Sequence, residues 1–545
     1  MIRINQVKMP LSHTKKELKE KAAGLLHIKA EDILEFQIVK KSIDARKKPD
    51  IYFIYTLDLT LREEDQILRR RGRLQIQKTE EISYSFPVTG RLPMKERPVI
   101  IGTGPAGLFC GYFLAIHGYR PVLLERGKDV GHRKKDVEAF WNGGALLPDS
   151  NVQFGEGGAG TFSDGKLNTL VKDKNGRNKE VLRILVESGA PEEILYEAKP
   201  HIGTDILIQV VKNMRKKILA CGGEVRFTCK VTDIVVDKDG VREVVINDTQ
   251  HMPADIVVLA IGHSARDTFR MLYERNVPMD AKAFAVGLRV EHPRKMIDKI
   301  QYGSEEHALL PSADYKVTTQ TGSGRGVYSF CMCPGGYVVN ASSEAGKLAV
   351  NGMSYSGRAG DNSNSAIIVT VTPEDFESSH PLAGVEFQRK MEEKAYEIGQ
   401  GQVPVELYGD FKEALTGKKK EFSAILNQYP DFLPQIKGAY RFSPVHEILP
   451  KDLGRAFVEG MEQFDKVLPG FGDSGAYISG IESRTSSPVR IYRDETGQSA
   501  VKGLYPCGEG AGYAGGITSA AMDGILIAEK IAEKYSERIS NDAGL

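Results

Sequence analysis

The sequence predicts an α/β protein in which a doubly wound domain is preceded by a small α+β unit and interrupted by an α+β insertion. Between residues 98 and 125, an apolar strand, a glycine turn, a helix and a second strand follow one another. A strand, a glycine turn and a helix recur near the end of the chain. That order is typical of a doubly wound fold. The expected units are an N-terminal domain at 1–92, the first part of the doubly wound domain at 93–275, an inserted substrate domain at 276–490 and the closing part at 491–545.

The N-terminal unit is predicted to combine a strand near 2–8, a helix near 14–26 and strands near 33–41 and 51–60. Residues 1–96 carry 20 Lys and Arg against 14 Asp and Glu, a net charge of +6. The basic residues form two clusters, Lys40, Lys41, Arg46, Lys47 and Lys48, and Arg69, Arg70, Arg71 and Arg73. Docking of RNA and an ordinary salt-bridged surface on a helix near 62–72 both fit these clusters.

The doubly wound domain begins with the strand Pro98-Val-Ile-Ile101, and the turn Gly-Thr-Gly-Pro-Ala-Gly follows at once. Its glycines, Gly102, Gly104 and Gly107, permit a tight turn, a close approach of the backbone to a pyrophosphate, and packing of the next helix on the sheet. The following strand ends in Glu125, 23 residues after Gly102, where a carboxylate suits ribose hydroxyls. This segment predicts a dinucleotide site.

The spacing Gly-x-Gly-x-x-Gly occurs at two further places, 155–160 and 510–515. With 56 glycines in 545 residues the bare pattern is weak evidence, so its context must decide. The middle match lacks a preceding strand and an acidic strand end, and is not a second dinucleotide turn. A separate NAD(P) fingerprint is therefore not predicted.

The turn with Pro105 and Ala106 resembles the FAD-binding proteins of the glutathione reductase type. That resemblance implies FAD as the cofactor and a second glycine segment near the C-terminus, here Gly508-Glu509-Gly510. It also implies a helix from about Ile517, whose N-terminus would favour negative charge on the flavin. The cofactor contacts expected on this basis are Gly102, Gly104, Pro105, Ala106, Gly107, Glu125, Arg126, Val231, Gly262, Gly508, Glu509, Gly510, Gly516 and Ile517.

The middle glycine cluster runs Phe154-Gly-Glu-Gly-Gly-Ala-Gly-Thr-Phe-Ser-Asp-Gly-Lys166. Gly157, Gly158 and Gly160 suit a backbone that passes close to a flat ring, since a Cβ would obstruct it. Lys166 is then a candidate catalytic residue that stabilises an anionic reduced flavin. A flexible surface loop with a solvated lysine is the alternative.

Over nearly its whole length the chain resembles uncharacterised bacterial FAD-dependent dehydrogenases that carry this loop and a Cys-Pro-Gly-Gly turn. One departure from the glutathione reductase pattern is informative. After Glu125 no cysteine occurs before Cys221, so the disulfide of that class is missing and thiol–disulfide chemistry is not expected. A reductant would have to meet the flavin in the substrate cavity.

The insertion is predicted to contain strands and loops with helices near 384–399 and 455–466. Arg484 lies among hydroxyl residues and is a second candidate catalytic residue, suited to a substrate carboxylate or phosphate; structural ion pairing is the alternative. Cys331 and Cys333 invite a redox interpretation, although packing is the simpler one. His263 and the pair His446-Glu447 are candidates for proton transfer.

Composition limits the remaining possibilities. Six scattered cysteines without a Cys-x-x-Cys pair predict neither a disulfide framework nor a zinc site, so no metal is expected. No apolar run suits a membrane span or a secretory signal, and the expected location is the cytoplasm. The sequence therefore predicts an FAD-dependent oxidoreductase for a small substrate, with an anion as the candidate class and NAD(P)H as a candidate reductant. The alternative is a flavin-containing RNA-associated or regulatory protein that docks through residues 1–92.

Overall fold

The computed structural model describes residues 1–69, 76–80, 82–418 and 425–537. The first unit is a four-stranded sheet in the order β2-β3-β1-β4, covered by one long helix. Leu18, Ala22 and Leu26 of that helix are buried against the sheet. The elements are β1 (Ile2–Pro10), α1 (Lys15–Leu26), β2 (Ile33–Lys47), β3 (Asp50–Leu61), α2 (Glu64–Arg69) and β4 (Ile76–Lys78).

Several of the basic residues of this unit are bound within the chain. Lys41 forms an ion pair with Glu197 at 2.9 Å, and Arg46 pairs with Asp44 at 2.7 Å. The Lys48 ammonium donates to the Ile300 carbonyl. Arg70, Arg71 and Arg73 of the second cluster lie outside the described residues. The visible contacts favour the paired surface over an RNA-docking one.

The second unit opens with the predicted strand, glycine turn and helix. The buried apolar runs Val99–Ile101 and Val122–Leu124 form neighbouring parallel strands, as expected for strands covered on both faces. The elements are β5 (Val99–Ile101), α3 (Pro105–Ile116), β6 (Val122–Leu124), α4 (Val130–Trp141), α5 (Arg177–Glu187), α6 (Thr204–Ala220), β7 (Glu224–Arg226), β8 (Val231–Asp237), β9 (Gly240–Ile246), β10 (Gln250–Pro253), β11 (Val257–Leu259) and α7 (Arg266–Glu274).

The insertion is built on a seven-stranded sheet in the order β14-β15-β18-β13-β22-β19-β21. Strands β12 and β23 pair where the chain leaves and re-enters, beside the predicted boundaries at 276 and 490, which remain predictions. The elements are β12 (Met279–Ala281), β13 (Phe284–Pro293), α8 (Arg294–Tyr302), β14 (Thr318–Gln320), β15 (Gly326–Cys333), β16 (Tyr337–Asn340), β17 (Val350–Met353), β18 (Asn362–Val371), α9 (Ala383–Gly399), β19 (Val403–Leu407), α10 (Tyr408–Thr416), β20 (Ile436–Lys437), β21 (Tyr440–Phe442), α11 (Lys451–Asp465), β22 (Tyr477–Glu482) and β23 (Val489–Ile491).

The closing segment completes the doubly wound domain with β24 (Leu504–Pro506) and α12 (Ile517–Lys534). The parallel sheet then has the order β24-β11-β5-β6-β7, and the last helix packs along α3 over the sheet. The fold class predicted from the sequence is confirmed: a Rossmann-like domain with an α+β insertion and an N-terminal α+β unit. None of the helices in the described part of the chain has the length and apolarity that a membrane span requires.

Candidate functional site

A large cavity lies at the carboxyl ends of the parallel strands, where doubly wound folds bind ligands. It holds about 1430 Å³ of space including its mouth, and it extends to the inserted domain. Its walls contain most of the residues predicted from the sequence. These are Gly102, Gly104, Pro105, Ala106, Glu125, Arg126, Gly158, Gly160, Lys166, Val231, Gly262, Arg484, Glu509, Gly516 and Ile517.

Four predicted glycines, Gly107, Gly157, Gly508 and Gly510, are not part of the cavity lining. They allow the turns to pack on one another. A Cβ on Gly107 would lie 1.9 Å from the Gly102 carbonyl oxygen, and one on Gly510 would lie 2.5 Å from the Gly262 oxygen. A direct contact between these four residues and a cofactor remains a prediction.

Two helices start at the cavity without a side-chain cap. Helix α3 begins at Pro105 after the N-cap Gly104, and α12 begins at Ile517 after the N-cap Gly516. The N–H groups of a first turn have no partner inside the helix, and the dipole places partial positive charge there. Both ends therefore suit the negatively charged parts of a ligand.

Glu125 lies at the predicted strand end, but its carboxylate is already engaged. It accepts hydrogen bonds from the Thr103 N–H at 2.9 Å and the Thr103 hydroxyl at 2.7 Å. The N–H groups of Gly127 and Gly155 donate to its other oxygen, each at 3.0 Å. The carboxylate thus joins three loops, and a ribose hydroxyl would have to share or replace one of these bonds.

The middle glycine loop is a buried wall of the cavity rather than a flexible surface loop. Gly158 packs on the first glycine turn, where a Cβ would lie 2.9 Å from the Gly104 Cα. Arg133 of α4, which sequence reasoning missed, is completely buried and pins this loop. Its guanidinium donates to the carbonyls of Asn151, Val152, Gly155, Glu156 and Gly158.

Lys166 reaches the cavity from this loop and is about 30% exposed. Its ammonium donates to the Met332 carbonyl and lies 3.5 Å from the Asp164 carboxylate. Asp164 also accepts from Arg358, at 2.6 Å. Burial works to raise the pKa of Asp164, but Lys166 and Arg358 together hold it below its ordinary value. The positively charged side chain of Lys166 is therefore part of the cavity wall.

Arg484 also lines the cavity, but its guanidinium is bound to the protein. It donates from Nε and Nη2 to the Glu392 carboxylate at 2.9 and 2.8 Å. Its Nη1 donates to the hydroxyls of Ser264 and Ser343. These bonds favour the structural ion pair that the sequence left open, since few N–H groups remain for a ligand.

The cysteines proposed for redox chemistry and the histidines proposed for proton transfer do not all line the cavity. Cys331 and Cys333 are free thiols, and burial raises their pKa values to about 11 and 12, which disfavours reactive thiolates. His446 contacts Glu406 at 2.7 Å and does not line the cavity. His263 does line it, with Nδ1 3.3 Å from the Glu509 carboxylate.

The residues that line the cavity suit FAD. Gly262, Gly515 and Gly516 line the cavity, and a Cβ on any of them would meet nothing within 4 Å, so the backbone edge is open to a ligand. The buried Nε2 of His263 has no hydrogen-bond partner among the described residues. Among these residues no group of three or more His, Cys, Asp and Glu side chains is placed to hold a metal ion.

Comparisons with family models agree with this geometry. Residues 283–485 match the model described as "FAD-dependent protein, C-terminal domain-like". Residues 100–156, which contain the first glycine turn, match an NAD(P)-binding Rossmann-like domain. Residues 1–60 match a domain of unknown function. The finer resemblance to glutathione reductase stays a prediction.

Among solved structures, glycine oxidase from Geobacillus kaustophilus is 12% identical, with 81% of this chain and 95% of that chain covered and a TM-score of 0.34. Thermovibrio ammonificans THI4 is 20% identical, with 33% and 63% covered and a TM-score of 0.24.

An uncharacterised protein of Clostridium beijerinckii is far more similar in sequence. It is 47% identical over 539 residues, which cover 98% of this chain and 99% of that protein. The match therefore includes the N-terminal unit, the glycine turns and the insertion. Together with the FAD-dependent domain matched in the insertion, it shows that the chain belongs to a family of FAD-dependent proteins shared with the Clostridium beijerinckii protein.

Proposed function

We propose that this chain is an FAD-dependent oxidoreductase that acts on a small anionic molecule, with NAD(P)H as a candidate reductant. One observation carries the proposal: the cofactor cavity is closed on one side by the inserted domain. Phe330, Cys331, Asn351 and Glu482 line it there, and we call these four residues the inserted-domain wall. A cavity shared by a cofactor fold and a second domain offers room for a substrate beside the cofactor.

When bound, FAD supplies the acceptor for a hydride or for electrons. The protein's own part is to bind, orient and adjust charge. The α12 N-terminus and the Lys166 ammonium place positive charge around the cavity, which favours negative charge on whatever lies there. The predicted contacts of individual residues with FAD, including those of Arg126 and Val231, are part of this proposal.

We expect Lys166→Met to make reduction of the bound flavin harder. Loss of one cation beside the cavity should lower the midpoint potential by roughly 30 mV, or about 1.4 kcal/mol for a two-electron couple. Potentiometric titration of the purified holoprotein measures this shift. Lys172→Met, on the exposed part of the same loop, is the matched control and should leave the potential unchanged.

Anaerobic reduction tests the oxidoreductase proposal itself. We expect the flavin absorbance of the holoprotein to bleach with NADH or NADPH and to return when an acceptor is added. Two negative results together would refute the proposal. Neither NADH nor NADPH would reduce the flavin, and protein reduced with dithionite would pass electrons to no small-molecule acceptor, quinones and oxygen included. The RNA-associated alternative is not proposed, because Lys41, Arg46 and Lys48 are engaged within the chain.

The cytoplasmic location remains part of the proposal. All six cysteines are free, which accords with a reducing compartment.

A further inference from the structure

Asn351 of strand β17 lines the cavity, and the orientation of its side-chain amide is fixed by two hydrogen bonds. Its Oδ1 accepts from the Gly352 N–H at 2.8 Å and from Arg289 Nη2 at 3.1 Å. Because both partners are N–H donors, the oxygen end of the amide is defined, and the NH₂ end is left for another acceptor. In the described part of the chain no protein group accepts from this Nδ2, and the residue lines the cavity.

Arg289 of strand β13 holds this amide in place but has nothing left to bind a ligand. It is completely buried, and Nε and Nη2 donate to the Glu482 carboxylate at 2.6 and 3.0 Å. Its Nη1 donates to the Cys331 carbonyl at 2.8 Å and to Asn364 at 3.0 Å. With the bond to Asn351, all five N–H groups are used. Arg289 is therefore a positioning residue.

The glycine after Asn351 is required by this arrangement. A Cβ on Gly352 would lie 2.3 Å from Arg289 Nη1, so only glycine lets the guanidinium pack against strand β17.

A bulge in strand β15 brings Lys166 to the same wall. The register of this strand shifts between Phe330 and Cys333, and Cys331 has a positive φ of 40°. The carbonyls of consecutive residues therefore meet different donors: Arg289 binds that of Cys331, and Lys166 binds that of Met332. Lys166 binds this bulge directly and Asn351 is tied to it through Arg289, and both Lys166 and Asn351 line the cavity.

The local charges favour an anion. Lys166 and Arg358 share the Asp164 carboxylate, at 3.5 and 2.6 Å, while Arg289 pairs with Glu482 at 2.6 Å. His263 and Glu509 contact each other at the edge formed by the cofactor domain. The Lys166 ammonium and the Asn351 amide are two donors in the cavity lining that can meet the oxygen atoms of an anion.

We infer that Asn351 and Lys166 form a carboxylate-binding subsite, so that the substrate is a small molecule carrying a carboxylate. This inference rests on the proposed function. It replaces Arg484, whose guanidinium is committed to Glu392, as the anion-binding group. A carboxylate presents two oxygen atoms in one plane, which match one ammonium donor and one amide donor.

The test uses oxidised, FAD-loaded full-length protein, so that it does not depend on turnover. Acetate, succinate and benzoate are titrated in, beside the neutral acetamide and benzamide, with calorimetry and the flavin difference spectrum as readouts. We expect at least one carboxylate to bind and to perturb the spectrum, and its amide to bind at least about tenfold more weakly. Asn351→Leu and Lys166→Met should each raise the Kd of that carboxylate at least about tenfold.

Asn175→Asp and Lys172→Met, at exposed positions further along the loop that carries Lys166, are the matched controls and should bind as wild type does. FAD content and thermal stability show whether each variant is folded. If Asn351→Leu does not fold, the Kd measured with Lys166→Met decides the test. The inference is overturned if no carboxylate binds, if the amides bind equally well, or if the variants keep wild-type affinity. A Lys166→Met protein with an altered potential but an unchanged carboxylate Kd would assign the cation to the cofactor instead. Failure to bleach with reductants would count against the proposed function alone.

Discussion

Gly104→Glu should abolish the retention of FAD while leaving the fold intact. Gly104 is the N-cap of α3 and lines the cavity, and a Cβ there would meet only the Gly158 Cα, at 3.8 Å. A glutamate side chain therefore has no room except in the cavity. It would place a carboxylate at the helix end that suits a pyrophosphate. Absorbance of the purified protein and release of FAD on denaturation measure the occupancy.

Gly104→Ala is the matched control. A methyl group at 3.8 Å from its neighbour is an ordinary van der Waals contact, and φ is −67°, so no strain arises. This variant should keep its FAD. Full FAD occupancy of Gly104→Glu, with an unchanged melting temperature, would show that the cofactor does not lie along this turn.

Glu392→Ala should strongly destabilise the fold. Glu392 of α9 is completely buried and accepts from Arg266 of the cofactor domain and from Arg484. Its removal leaves two buried guanidinium groups without their main partner, which costs about 3–5 kcal/mol. Urea denaturation followed by far-UV circular dichroism measures the loss.

Glu393→Ala, at the next position of the same helix, is the control. Glu393 is 56% exposed and pairs with Lys347 at the surface, so its loss should change the stability by about 0.5 kcal/mol or less. Equal effects of the two substitutions would contradict the assignment of Glu392 as the link between the insertion and the cofactor domain.

The same ion pairs predict how stability depends on pH. Burial opposes ionisation of Glu392, but Arg266 and Arg484 outweigh it and hold its pKa well below the ordinary value. A carboxyl group whose pKa is lower in the folded state makes its full contribution to the free energy of unfolding above its unfolded pKa of about 4.3. That contribution is lost as the pH falls toward the pKa of the folded state. Wild type should therefore lose more stability than Glu392→Ala between about pH 5 and the acid limit of the fold.

The doubly wound fold was predictable because its signals are local. The apolar runs at 99–101 and 122–124, the glycine turn between them and Pro105 at the first helical position are adjacent in sequence. Helix α12 was predicted for the same reason. Strand β2 runs to Lys47, beyond the predicted 41, because its pairing with β3 continues to the turn of a long hairpin.

Site residues were predictable only where the residue type and its neighbours in the sequence together indicate a role. The glycines and Glu125 were found from the turn and strand end, but the bond of Glu125 to Gly155 depends on a loop 30 residues later. Arg289 gave no signal, because its partners lie as far away as Glu482, 193 residues along the chain. The sequence identified Arg484 as a candidate cation. Its ion-pair partner Glu392 lies 92 residues away in the chain, so the pairing gave no local signal.

A crystal structure of the FAD-loaded protein tests the proposed site most directly. It should show FAD along the cavity, with the pyrophosphate at the N-terminus of α3 and the ring between the α12 N-terminus and the inserted-domain wall, within reach of Lys166. A flavin ring that points away from Lys166 and Asn351, or FAD bound outside this cavity, would contradict the proposed site.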